Sequence, residues 1–204
     1  MVKIEHLGHA SFRLTGSHTV YFDPYKLKGK QEPADIVFVT HSHFDHLSPQ
    51  DLSQICTSST VVFATPDCEE ELKSLPEDIE FRPVEPGKSY EYAGIKIRTV
   101  RAYNTNKKYH PRENDWVGYV IEMDGESFYH PGDTDIIPEM EGIEPDYAFL
   151  PVSGTYVMTA EEAAEAYKMI RPKKGVFPMH YGVVAGSKED AEKFLKLVKD
   201  LNSK

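Results

Sequence analysis

Cysteine is scarce: only Cys56 and Cys68 occur in 204 residues, too few for a disulfide framework and without the spacing of a thiolate metal knot. Long apolar runs are missing too. Nothing approaches the roughly 20 residues that a transmembrane helix needs, and Met1 to Arg13 lack the apolar core and cleavage site of a signal peptide. Positive charge is short, with 23 Lys and Arg against 33 Asp and Glu, a formal net charge of −10. Such a surface repels phosphate backbones and anionic bilayers, which argues against duplex nucleic acid and membrane as partners. There is no repeat period, no low-complexity tract and no Gly/Ser linker, so residues 1–204 are expected to form a single domain. Hydrophobic residues make up 40% of the chain, enough for a packed core. A cytoplasmic protein with a small-molecule substrate is the expectation.

What is present is an interleaving of strand and helix signals. Val2–Ile4, Ser11–Leu14 and Thr19–Phe22 read as successive strands, and Asp35–Thr40 as a strand buried on both faces. Ser48-Pro49 opens a short helix, Val61–Ala64 is a further strand, and Pro66–Leu75 reads as a helix. Strands recur at Glu80–Val84, Ser89–Tyr92, Ile95–Arg101, Val117–Met123 and Glu126–Tyr129, and another precedes Val152. Thr159 and Glu162 form a capping box for a helix over Ala160–Ile170, Gly175–Met179 is the last strand, and Ser187 opens a helix over Lys188–Leu201. This pattern predicts a layered α/β sandwich of two mixed sheets with helices on their outer faces.

The chemistry concentrates in His41-Ser42-His43-Phe44-Asp45-His46, directly after a buried strand. Imidazole and carboxylate are the donors that zinc, iron and manganese accept. At a strand end positions 41 and 43 project to the same side, and a sharp turn brings 45 and 46 round to face them. One segment can therefore serve two neighbouring ions. Two other segments place a donor just after an apolar strand: His130-Pro131-Gly132-Asp133-Thr134-Asp135 and Met179-His180-Tyr181.

In order and spacing these three segments resemble the metallo-β-lactamase superfamily, and Leu7-Gly8-His9-Ala10-Ser11 with Phe22-Asp23-Pro24 resembles its small ascorbate-6-phosphate-lactonase-like branch. The resemblance implies a four-layer αβ/βα sandwich with the site at one edge. It implies that His41 and His43 hold a first divalent ion, that Asp45, His46 and His180 hold a second, and that Asp133 bridges them. Zinc is the expected metal, with manganese or iron as alternatives, in one or two copies. Where the family carries a third histidine for the first ion, this chain has Asn104; His110 either folds back as a substitute or lies exposed near the mouth. On that basis the second ion is expected to bind more tightly.

The implied activity is hydrolysis of a small anionic ester, lactone or phosphodiester by a metal-activated hydroxide. Asp45 and Asp133 are the candidates to orient the nucleophile, and His9, His110 or Tyr181 to return a proton. His9 reads equally as a structural residue, and His130 as an anchor for its loop. Lys107, Lys108 and Arg112 in the loop Asn104–Asp115 are candidates to attract an anion, and Val152–Tyr156 to contact substrate. The competing reading is a metal or ligand sensor that keeps the ligands without turnover.

Overall fold

The computed structural model describes residues 1–75 and 79–203. Twelve strands form two six-stranded mixed sheets. The first sheet contains β1 (Lys3–Gly8), β2 (Ser11–Thr15), β3 (Thr19–Phe22), β4 (Ile36–Phe38), β5 (Val61–Ala64) and β6 (Glu80–Pro83), side by side in chain order. The second contains β7 (Ser89–Tyr92), β8 (Ile95–Arg101), β9 (Val117–Met123), β10 (Glu126–His130), β11 (Tyr147–Pro151) and β12 (Gly175–Met179). Each sheet is antiparallel among hairpin-linked strands and parallel where longer connections intervene.

The sequence dictates this layering through strands that are apolar on both faces. In Ile36-Val37-Phe38-Val39 the period-two alternation sends Ile36 and Phe38 to the core between the sheets, and Val37 and Val39 toward a helical layer. Phe149 and Leu150 of β11 divide in the same way. Between the sheets Phe12 stacks on Phe149 with ring centroids 4.1 Å apart, and Phe38 meets Tyr119 at 4.8 Å. Helices α1 (Pro49–Ile55) and α2 (Glu69–Leu72) cover the first sheet. Helices α3 (Ala160–Ile170) and α4 (Lys188–Asn202) cover the second, burying Ala163, Ala166 and Phe194. The predicted four-layer αβ/βα sandwich is the observed one. Among the described residues no helix is long and apolar enough to cross a membrane.

Several boundaries differ, most by one residue, and three differ for local reasons. Strand β1 runs to Gly8 because its register with β2 continues past Ile4. The regular part of β4 stops at Phe38: the Thr40 N–H donates to Asp23 Oδ1 at 2.8 Å and so leaves the ladder. The predicted helix over 66–75 is a 3-10 turn, Pro66–Cys68, followed by the single turn of α2.

Every polar segment singled out in the sequence lies at one end of the sandwich, beyond the strand C-termini. The loop after β10 reaches that end by crossing β9 at very close range. A Cβ on Gly118 would lie 2.6 Å from the Pro131 backbone, and Gly132 turns with φ +66° against Thr40. Gly118→Ala should therefore push the 131–133 loop off β9 and cost about 1–3 kcal/mol, as overpacking does. Urea denaturation checks this; an unchanged midpoint would show that the crossing is not tight.

Candidate metal centre

Six side chains converge at this end: His41, His43, Asp45 and His46 beyond β4, Asp133 beyond β10 and His180 beyond β12. Two further histidines join them, His9 from the turn between β1 and β2 and His110 from the loop between β8 and β9. They form three overlapping groups whose donor atoms lie within 4.8 Å of one another: His9, Asp45, His46 and His180; His41, His43 and His110; and His41, His46 and Asp133. Cys56 and Cys68 belong to none of them.

Asp133 sits at the middle. Its Oδ1 is 3.2 Å from His46 Nε2, and its Oδ2 is 3.0 Å from His180 Nε2 and 3.2 Å from His110 Nε2. These atoms are close but not aligned for hydrogen bonding. Asp133 Oδ1 and the Nε2 atoms of His46, His110 and His180 are all buried without a partner. Buried polar atoms in native proteins are overwhelmingly satisfied. Four unpartnered acceptor-capable atoms facing one another, three imidazole nitrogens and a carboxylate oxygen, make a donor set that fits divalent metal.

The far sides of the His41, His46, His110 and His180 imidazoles are held. Asp23 Oδ2 lies 2.7 Å from His46 Nδ1 and also accepts from the Thr40 hydroxyl at 2.7 Å. Having given its proton to Asp23, Thr40 Oγ1 accepts from His41 Nδ1 at 2.9 Å. Asn104 Oδ1 accepts from the His110 backbone N–H and from its Nδ1, both at 3.0 Å, while Asn104 Nδ2 donates to the Tyr156 carbonyl. In each case Nδ1 carries the proton and Nε2 presents a lone pair to the centre. His43 turns its Nδ1 inward instead, 3.1 Å from His41 Nε2. Ser153 Oγ lies 3.0 Å from His180 Nδ1.

His110 is therefore the folded-back alternative, not the exposed one: it is buried and stands with His41 and His43. Asn104 accepts from both His110 nitrogens named above and so fixes the orientation of the histidine that stands with His41 and His43. Both groups then have three protein donors of their own beside Asp133, which removes the basis for expecting a weaker first ion. His9 Nε2 donates to Asp45 Oδ2 at 2.8 Å, and its carbonyl accepts from the His180 backbone N–H at 2.9 Å. His9 and His180 both have positive φ, 50° and 58°, strain of about 1–3 kcal/mol each that functional sites commonly hold.

Electrostatics point the same way. Burial alone would raise the Asp45 carboxyl, but the His9 hydrogen bond and neighbouring His46 hold it down at about 2. Burial would likewise raise Asp133, yet His180, His46 and His110 keep it well below the usual carboxylate range. Burial opposes a charged His46, but Asp133 and Asp23 on either side push it well above its ordinary value. Asp45 and Asp133 thus keep their negative charge inside the pocket, while burial holds His41 and His43 below their ordinary values.

The remaining sequence candidates divide. His130 anchors its loop, donating from Nε2 to the Ala10 carbonyl at 2.8 Å and accepting from Gly132 N at Nδ1. Tyr181 does not line the site cavity; its ring lies 5.8 Å from His6. The proposed anion-attracting cations are mostly engaged: Lys107 pairs with Asp135 at 2.6 Å and Arg112 with Glu139 at 3.0 Å, leaving Lys108 exposed. Trp116 had no sequence signal. Its buried ring packs against His41 at 4.8 Å and His43 at 4.7 Å, with Nε1 donating to Asp67.

Comparison with known proteins agrees with this geometry. A family model described as the beta-lactamase superfamily domain matches residues 3–180. A UPF0173 metal-dependent hydrolase of Thermococcus onnurineus (strain NA1) is 33% identical, the alignment covering 98% of this chain and 93% of that one. One from Thermoplasma acidophilum is 35% identical, covering 96% and 90%. The crystal structure of a candidate metal-dependent hydrolase from Parabacteroides distasonis ATCC 8503 superposes with TM-score 0.85 at 32% identity, covering 98% of this chain and 89% of that one. The ascorbate-6-phosphate-lactonase-like branch is not among these matches. This chain belongs to the metallo-β-lactamase superfamily and, within it, to the UPF0173 metal-dependent hydrolase family.

Proposed function

We propose that the protein is a hydrolase that holds two divalent ions, most suitably zinc given seven inward-facing imidazole and carboxylate side chains, and cleaves a small ester, lactone or phosphodiester. The observation that carries this reading is the convergence of unpartnered donors on Asp133. His41, His43 and His110 would hold one ion, Asp45, His46 and His180 the other, with Asp133 between them. Bound ions supply Lewis-acid polarisation of the substrate oxygen and make water acidic enough to attack near neutral pH. Zinc suits the imidazole-rich set; manganese and iron suit the carboxylates.

The chain's own residues do the positioning. Asp45 receives the His9 proton at Oδ2, which leaves Oδ1 to orient water toward the reacting carbon or phosphorus. His9 Nε2–H holds Asp45 Oδ2 in place, and the attacking water is the source of the proton that the leaving oxygen needs. Water adds to the acyl or phosphoryl centre, the bond to the leaving oxygen breaks, and that oxygen takes up the proton.

Two experiments test the reading. Asp45→Ala should leave the fold intact, since the residue lies beyond the strands, and lower kcat/KM about 100-fold or more on whichever ester, lactone or phosphodiester the wild type cleaves. A metal-loaded wild type inert on all three classes would favour the sensor reading; equal activity of the two proteins would refute the site. Asn104→Ala should free His110 from its fixed orientation and weaken metal retention about 10- to 100-fold, as the loss of such a partner does. Competition against a chelator measures this, and unchanged affinity would show that His110 needs no such support.

A further inference from the structure

The mouth of the site has a character of its own. A cavity of about 250 Å³ opens onto His43, Asp45, His110, Asp133 and His180, and its outer wall is Phe44, Tyr109, Tyr156 and Val184. Large apolar side chains normally turn inward. Among the described residues only five are strongly exposed, and after terminal Met1 the list is Phe44 at 65%, Leu195 at 44%, Val183 at 43% and Tyr109 at 42%. Leu195 lies on α4. Phe44 and Tyr109 wall the cavity, and Val183 immediately precedes the lining Val184.

These rings are held in place. Tyr109 meets Tyr156 edge to face at 4.7 Å, and Phe44 meets Tyr25 edge to face at 5.9 Å. The Tyr156 carbonyl is tied to Asn104, the residue that orients His110, so wall and metal group share one scaffold. Among the described residues no Lys or Arg lines the cavity. Lys107 and Arg112 are committed to Asp135 and Glu139. An anionic group on the part of the substrate away from the metals would meet aromatic faces, in a protein of net charge −10.

We propose that, within the hydrolase reading on which this rests, the substrate is an uncharged ester or lactone carrying an aromatic or branched apolar group, which Phe44, Tyr109, Tyr156 and Val184 enclose while its carbonyl faces the metal groups. A ligand cleft slightly below the 300–1,000 Å³ range of drug-sized ligands suits a single ring or a short branched chain. Water adds its oxygen to the acyl carbon and the acyl C–O bond breaks. One water proton ends on the leaving oxygen and the other is released from the acid formed, so no oxidant or reductant is required.

The test uses zinc-loaded full-length protein and two esters of the same shape, phenyl acetate and 4-acetoxybenzoate, with acetanilide as a slowly hydrolysed neutral probe of binding. Phenyl acetate should be preferred by about tenfold or more in kcat/KM, a difference of about 1.4 kcal/mol. Phe44→Ser and Tyr109→Ser, both at exposed positions, should each narrow that preference several-fold, chiefly through KM. In the wild type, acetanilide should shift ring resonances of the cavity wall, and each variant should weaken that binding. Equal or faster cleavage of 4-acetoxybenzoate would overturn the assignment, as would the absence of acetanilide binding. If acetanilide binds and the variants weaken it while neither ester is cleaved, the apolar pocket stands, the ester assignment is overturned, and the hydrolase reading is decided by lactones and phosphodiesters.

Discussion

A buried carboxylate surrounded by imidazoles that do not hydrogen-bond to it sets the terms for this end of the molecule. Taking a carboxylate out of water costs several kcal/mol unless its charge is met. Asp133 meets His46, His110 and His180 at 3.0–3.2 Å, but none donates to it in a bonded geometry. Only positive charge placed among them satisfies all four groups together. That requirement explains why a single pocket gathers six of the chain's nine histidines: His9, His41, His43, His46, His110 and His180.

The fold serves that requirement by bringing strand ends together. The central strands β4, β5 and β11 are buried on both faces, so their interiors are closed to polar chemistry and the loops beyond the C-termini carry it. The outward-facing nitrogens are then tied to the scaffold by Asp23, Thr40, Asn104 and Ser153. Asp23 joins these tasks: it ends the β4 ladder through the Thr40 N–H and fixes His46 through Nδ1. The same residue thus terminates a strand and aims a side chain of the candidate metal centre.

The layered sandwich was legible because its strands alternate apolar residues toward two different cores, as Val37 and Phe38 do, and because Thr159 and Ser187 cap the helices openly. The segment His41 to His46 was legible because its donors are crowded in sequence. His110 was not, because nothing local says whether a histidine in a polar loop folds back; the contact that decides it is with Asn104. Asp23 and Trp116 act across 23 residues or more, on His46 and Asp67 respectively, so no local spacing could reveal them. The charged loop misled for the opposite reason. Lys107 and Arg112 are cationic in sequence, but Asp135 and Glu139 come from a distant segment to occupy them.

The most direct measurement is anomalous diffraction from crystals of the zinc-loaded protein. The account predicts two peaks, one among His41, His43 and His110 and one among Asp45, His46 and His180, with Asp133 reaching both. A zinc-saturated crystal with no peak beside Asp133, or with zinc held only by other residues, would contradict it.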